Sequence, residues 1–247
     1  MKDKESQFLL IDAGNSYIKA AVFEGDTITE RFGTSVIEEK NLTFFLAGKT
    51  FYAAIVLNSG PADLNMSWDE CVPSGKVFDM NSGLTDSINW AYEKPENLGK
   101  DKIAALVGAQ KLFPEKNICV VQTGTCLTID CLDKNKKHWG GTISPGLKMR
   151  LKSLHEFTAK LPLTSEKEAF GPLGNSTVSC IASGALYGMI GEIEYQYGLI
   201  KSRFESETVL VLTGGDVNNL ARLLKPSNFV VSDLVFFGMM KVLKDKI

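Results

Sequence analysis

Laid over itself at an offset of 110 residues, the chain brings Phe8-Leu9-Leu10-Ile11-Asp12-Ala13-Gly14-Asn15-Ser16 onto Ile118-Cys119-Val120-Val121-Gln122-Thr123-Gly124-Thr125-Cys126. Each segment is an apolar run ending in polar-x-Gly-polar, the pattern of a buried strand meeting a tight turn. A repeat of this kind constrains the fold more than any single motif, because both halves must bury the same unit. Second strands are predicted over Tyr17 to Phe23 and Leu127 to Leu132. Turn chemistry at Glu24-Gly25-Asp26 and at Asp133 to Lys137 precedes a third strand in each half. Further along, helix is predicted over Asn41 to Ala47 and Lys102 to Leu112, and strand over Tyr52 to Leu57 and Val77 to Asp79. Leu147, Leu151, Leu154, Phe157 and Leu161 recur at helical intervals, as do Ile181, Ala185, Met189, Ile193, Tyr197 and Ile200. Thr208 to Leu212 is a strand, Asn218 to Leu224 and Leu234 to Leu243 are helices.

Two copies of strand, turn and strand, each followed by helices and strands, predict two α/β domains, 1–98 and 99–247, facing one another across a cleft. Matched turns in that geometry can aim backbone N–H groups at one polyphosphate from opposite sides. Taken singly, Gly14 and Gly124 read equally well as hairpin glycines; the repeat favours the clamp. The 247 residues carry 27 Lys+Arg against 29 Asp+Glu, so the chain presents no strong field to a nucleic-acid backbone. Five cysteines without a Cys-x-x-Cys pair, and only His138 and His155, argue against structural zinc and a disulfide framework. No signal-like segment and no stretch long enough to span a bilayer is evident, which predicts a cytoplasmic protein with no membrane partner.

Several residues invite chemistry. Asp12 ends an apolar strand, where a carboxylate is costly without a partner, so it is expected to face a cleft and to hold Mg²⁺ through water. Lys19 lies on the outgoing strand; its distance in sequence does not settle whether it shares a face with Asp12. Gly48-Lys49-Thr50 resembles the tail of a Walker A loop but lacks its first glycine and preceding strand. Thr213-Gly214-Gly215-Asp216 follows a buried strand and opens a helix, a place where a ligand can approach the backbone; Asp216 also suits a helix cap. Gly140-Gly141-Thr142-Ile143-Ser144-Pro145-Gly146 reads as a glycine-rich loop. Asp101, flanked by Lys100 and Lys102, is either an acid at a helix start or a base for an attacking hydroxyl.

In order, Asp12-x-Gly14-Asn15-Ser16-x-x-Lys19, Tyr92-x-x-Pro95-x-x-x-Gly99-x-Asp101-Lys102, Gly124-Thr125-x-x-Thr128-x-Asp130, Gly140-Gly141-x-Ile143-x-Pro145-Gly146, Gly174-x-x-Thr177 and Thr213-Gly214-Gly215-Asp216 resemble the type III pantothenate kinases. The resemblance runs over nearly the whole chain. It implies two duplicated actin-like ATPase domains of ribonuclease H-like fold and ATP-dependent phosphorylation of the terminal hydroxyl of pantothenate, the first step toward coenzyme A. On the same resemblance, Asp12, Ala13, Gly14, Asn15, Ser16 and Lys19 bind the ATP phosphates, with Gly124, Thr125, Gly214 and Gly215. Asp101 is the base, while Tyr92, Gly99, Lys100, Lys102 and Thr177 hold pantothenate. A homodimer, Mg²⁺ and a monovalent cation, K⁺ or NH₄⁺, are also implied. Gln122 stands where the family pattern has an aspartate for that cation, which predicts a reduced or absent potassium requirement. Lys102 replaces an arginine, keeping charge and losing a bidentate fork. Two other readings compete: a non-catalytic nucleotide-binding accessory protein, and a kinase of the same superfamily for another small hydroxylated acid or sugar. Asp12, Lys19 and Asp101 together favour an enzyme.

Overall fold

The first strand of each repeat copy hands over to an antiparallel neighbour through a glycine turn, Gly14 to Ser16 in one and Gly124-Thr125 in the other. The computed structural model describes residues 7–247 except 39, 63, 65–67, 81–87, 205 and 216. Its strands are β1 (Gln7–Ala13), β2 (Tyr17–Glu24), β3 (Thr27–Ser35), β4 (Ala53–Asn58), β5 (Val77–Asp79), β6 (Asn89–Trp90), β7 (Asn117–Thr123), β8 (Cys126–Leu132), β9 (Lys137–Pro145), β10 (Thr208–Gly214) and β11 (Phe229–Val230). The helices are α1 (Lys40–Leu46), α2 (Trp68–Cys71), α3 (Lys100–Leu112), α4 (Leu147–Glu156), α5 (Thr177–Ser202), α6 (Val217–Ala221) and α7 (Leu234–Lys246).

Two mixed sheets result. The first has the order β3-β2-β1-β4-β5, with β1, β2 and β3 antiparallel and β4 and β5 added in parallel. The second repeats that order as β9-β8-β7-β10-β11, with the short β6 added beside β9. Each sheet therefore begins as the meander predicted from sequence.

The chain divides into two compact units that interleave in sequence. One gathers Met1–Asn89, Glu93–Leu112 and Asp233–Ile247; the other holds Trp90–Tyr92 and Phe113–Ser232. Relative to a linear division at 98/99, α3 and α7 go with the first sheet. Period-two alternation explains why the first sheet needs them. Leu9, Ile11 and Ala13 share one face with Ile18, Ala20 and Val22, and pack there against Leu42, Leu46 and Phe51. The opposite face, with Phe8, Leu10, Ala21 and Phe23, is also buried, and α3 and α7 cover it. Phe23 meets Phe237 of α7 edge to face at 6.3 Å. These two helices approach closely because glycines lie at their crossing: a Cβ on Gly238 would overlap the Ala104 carbonyl oxygen, and one on Gly108 the Leu234 carbonyl oxygen.

In the second unit Cys119, Val121, Leu127 and Ile129 form one sheet face, packed on Leu147 and Leu151 of α4, on α5, and on Val217 and Leu220 of α6. Helix α4 stops at Glu156, short of the predicted register through Leu161. Thr158 turns its hydroxyl onto the Leu154 carbonyl at 2.6 Å and Phe157 is exposed, so local side-chain bonding ends the helix. Of the cysteines, Cys71, Cys119 and Cys131 are buried, Cys126 half-buried and Cys180 exposed; all are free thiols. Among the described residues, no helix is long and apolar enough to cross a membrane.

Candidate active site

The antiparallel register of β1 and β2 puts Lys19 directly opposite Asp12, so the two share a sheet face. That face is the one covered by α3 and α7, and α3 carries Asp101 in its first turn. The half-buried Asp12 carboxyl is pushed up to about 6, chiefly by burial; Lys19 opposes the rise and the Asp101 charge adds to it. Two carboxylates that feel one another's charge, one of them desolvated, offer hard oxygens of the kind a hydrated divalent cation takes. The first unit thus collects Asp12, Lys19 and Asp101.

The turn between β1 and β2 is closed by Gly14 N–H donating to the Tyr17 carbonyl at 3.0 Å, with Asn15 and Ser16 exposed at its tip and Ala13 buried behind it. It rests on the loop that follows β4. Ser59 N–H donates to the Ala13 carbonyl at 2.9 Å, Gly60 N–H donates to Asn58 Oδ1 at 3.1 Å, and a Cβ on Gly60 would overlap the Gly14 carbonyl oxygen. The sequence reading did not assign Asn58, Ser59 and Gly60 to the site. Their signal was available, as a cluster of turn residues directly after a buried strand.

Gly99 precedes α3, and Lys100 lies 3.9 Å from Asp79 Oδ1. Lys102 is buried on α3, one of few charged side chains in the interior. The first unit therefore holds Gly99, Lys100, Asp101 and Lys102 together with the Asp12 turn.

In the second unit, Gly124 and Thr125 are exposed at the β7–β8 turn, where Gly124 N–H donates to the Cys126 carbonyl at 3.0 Å. Gly214 ends β10 at φ +109°, a conformation that favours glycine, and a Cβ there would overlap the Thr123 carbonyl oxygen. Gly215 N–H donates to that same oxygen at 2.9 Å, so the Gly214-Gly215 turn is fastened beside the β7–β8 turn. Asp216 lies outside the described residues. Gln122 is half-buried at the end of β7, opposite Thr128, whose Oγ1 is buried without a hydrogen-bond partner among the described residues. Tyr92 also belongs to this unit and is 40% exposed. Thr177 is exposed in the first turn of α5, behind a capping box in which Ser176 and Ser179 bond reciprocally.

A family model described as type III pantothenate kinase matches residues 8–198. The chain is 34% identical over 241 residues to a type III pantothenate kinase of Christiangramia forsetii, covering 96% of this chain and 97% of that one. Among solved structures it resembles a Baf family protein from Campylobacter jejuni, at 22% identity and TM-score 0.59, covering 96% of this chain and 98% of that one. It also resembles a protein described as a 2-dehydro-3-deoxygalactonokinase from Sinorhizobium meliloti, at 12% identity and TM-score 0.54, with 97% and 99% covered. The structural likenesses show the fold, that of the actin-like ATPases and sugar kinases. With the matched model spanning most of the chain and relatives aligned nearly end to end, the chain belongs to the type III pantothenate kinase family.

Proposed function

We propose that this chain transfers the γ-phosphoryl group of ATP to the terminal hydroxyl of pantothenate, giving phosphopantothenate and ADP. The observation that carries this reading is the gathering of Asp12, Lys19 and Asp101 in one unit, on the α3 side of the first sheet. Phosphoryl transfer asks a protein mainly for in-line positioning and for neutralisation of the charge that moves. Asp101 accepts the hydroxyl proton as the substrate oxygen bonds to phosphorus and the bond to the ADP oxygen breaks. Lys19 and the backbone N–H groups of the glycine turns face the phosphate charge. Asp12 would hold Mg²⁺, and the ion, when bound, would offset the negative charge on the phosphates. Tyr92, Gly99, Lys100, Lys102 and Thr177 hold pantothenate, with Lys102 meeting its carboxylate as a point charge.

At the position where the resemblance puts a monovalent cation, Gln122 would offer a neutral oxygen in place of a carboxylate, which supports a reduced or absent potassium requirement. The protein acts in the cytoplasm and as a homodimer; the apolar side chains of Phe157, Phe170 and Leu173, each more than 85% exposed in the second unit, support the dimer. The deciding experiment is ADP release by the purified protein with ATP and Mg²⁺, with and without pantothenate, in sodium, potassium and ammonium salts. Turnover that needs pantothenate and is lost in Asp101→Asn is expected. ATP binding without turnover would replace the reading by a non-catalytic one, and turnover with a different acceptor would replace the substrate.

A further inference from the structure

The Gly140-Gly141 pair, read from sequence as a loop, lies inside β9 at an irregularity in its pairing with β8. His138 stands opposite Leu132 and Gly141 opposite Asp130, so β9 has three steps where β8 has two. Such a bulge re-aims side chains, and Gly140 absorbs it at φ +96°. Gly141 supplies the clearance: a Cβ there would overlap Asp130 Oδ1. The effect is to bring His138 Nε2 within 3.2 Å of Asp130 Oδ1, in a pair of which His138 is 0% and Asp130 2% exposed. A carboxylate accepts, so Nε2 carries the hydrogen. Nδ1 is buried without a hydrogen-bond partner among the described residues, so Asp130 is the polar contact that orients the imidazole ring.

What rests on that ring is the segment that carries Tyr92. Ala91 N–H donates to the His138 carbonyl at 3.2 Å; the Trp90 ring meets the imidazole edge to face at 5.2 Å, and the Tyr92 ring lies tilted at 6.4 Å. The polar pair is therefore the floor beneath a half-exposed tyrosine, all within the second unit.

We propose that the His138–Asp130 pair is a positioning element for Tyr92, and that through Tyr92 it sets the enzyme's grip on pantothenate without touching the substrate. The inference rests on the reading that Tyr92 contacts pantothenate. Its test measures kcat and the two KM values for His138→Ala, His138→Phe, Asp130→Asn, Tyr92→Ala and the double variant Tyr92→Ala/His138→Ala. For His138→Ala the pantothenate KM rises about tenfold while kcat and the ATP KM stay within about twofold, the size of effect usual for residues that couple through contact. His138→Phe keeps the ring contacts and loses the bond to Asp130, so its KM lies between those of wild type and His138→Ala. Should His138→Ala fail to fold, as melting would reveal, His138→Phe and Asp130→Asn carry the same comparison. Adding His138→Ala to Tyr92→Ala brings no further rise.

An unchanged pantothenate KM in the folded His138 and Asp130 variants overturns the inference, as does a rise that multiplies in the double variant or a loss of kcat and both KM values together. If wild type phosphorylates pantothenate but Tyr92→Ala leaves its KM unchanged, the placement of Tyr92 falls and takes this inference with it. If wild type does not use pantothenate, it is the proposed function that falls.

Discussion

The two glycine turns occupy equivalent places in two sheets of equal strand order, yet they are built for different chemistry. In the first, Asp12 faces Lys19 across the hairpin, with Asp101 adding its charge to the same field. In the second, the equivalent position is Gln122, facing Thr128. Duplication has thus kept the backbone frame and strand pairing while setting ionisable groups beside one turn and neutral hydrogen-bonding groups beside the other. A strand order can be inherited whole, because it depends on apolar alternation; a charge has to be justified site by site against its desolvation.

The largest test of that asymmetry is paired. Asp101→Asn is expected to lower kcat by roughly 10²- to 10⁴-fold, the range for loss of a general base, while Gln122→Asn costs little by comparison. Equal losses in steady-state ADP release would mean that both copies carry chemistry. Next in size is packing at the turns. Gly60→Ala drives a Cβ into the Gly14 carbonyl and is expected to cost about 1–3 kcal/mol in urea unfolding, as overpacking does. Gly124→Ala meets nothing within 4 Å and is expected to be near neutral to stability. If the two melt alike, the support under the first turn is not what the Gly60 contact suggests.

A smaller effect follows from Asp12. Its folded value of about 6 lies above the ordinary 3.8, so the folded state without ligands holds the proton more tightly than the unfolded one. The associated stability is fully present below pH 3.8, declines through pH 6 and is absent above it. About 2 kcal/mol should therefore be lost across that window, less than the full linkage because the group is partly solvated. Asp12→Asn should flatten the profile, whereas Gln122→Asn should leave it unchanged; a flat wild-type profile would remove the asymmetry. The smallest expected effect lies at the surface. Asp26 accepts from Lys111 of α3 at 2.7 Å and is 3.1 Å from Lys244 of α7, contacts that hold its carboxyl below the ordinary range. The stability it contributes is present above the ordinary carboxylate range and is lost as pH falls through its lowered value. Exposed pairs of this kind contribute about 0–1 kcal/mol, so Asp26→Asn should lower the melting temperature slightly at pH 7 and by less as the pH falls below the ordinary carboxylate range.

Much of this was readable in the residues, because apolar runs of period two followed by Gly14 and Gly124 locate both meanders. Apolar spacing places helix over most of α3, α5 and α7. What the residues did not disclose were consequences of three-dimensional register. Whether Asp12 and Lys19 share a face depends on the three-residue turn between them, and a period argument loses phase across a turn. That α3 and α7 cover the first sheet follows from a second buried face on β1 and β2 and from Gly108 and Gly238, which are far apart in sequence and carry no local sign of contact. The bulge at Gly140 and the loop at Gly60 are of the same kind: the glycines were visible, and their partners were not.

The crossing of α3 and α7 also sets an order of events during synthesis. Residues from β1 through α3 leave the ribosome first, but their last covering helix follows the 113–232 stretch of the second unit. At ordinary translation rates that delay is on the order of ten seconds. Through that interval the sheet face around Phe23, and the side of α3 bearing Ala104 and Gly108, lack their α7 cover. The helix that carries Asp101 is seated in full only when α7 arrives, so a nascent chain can complete its second unit before its first.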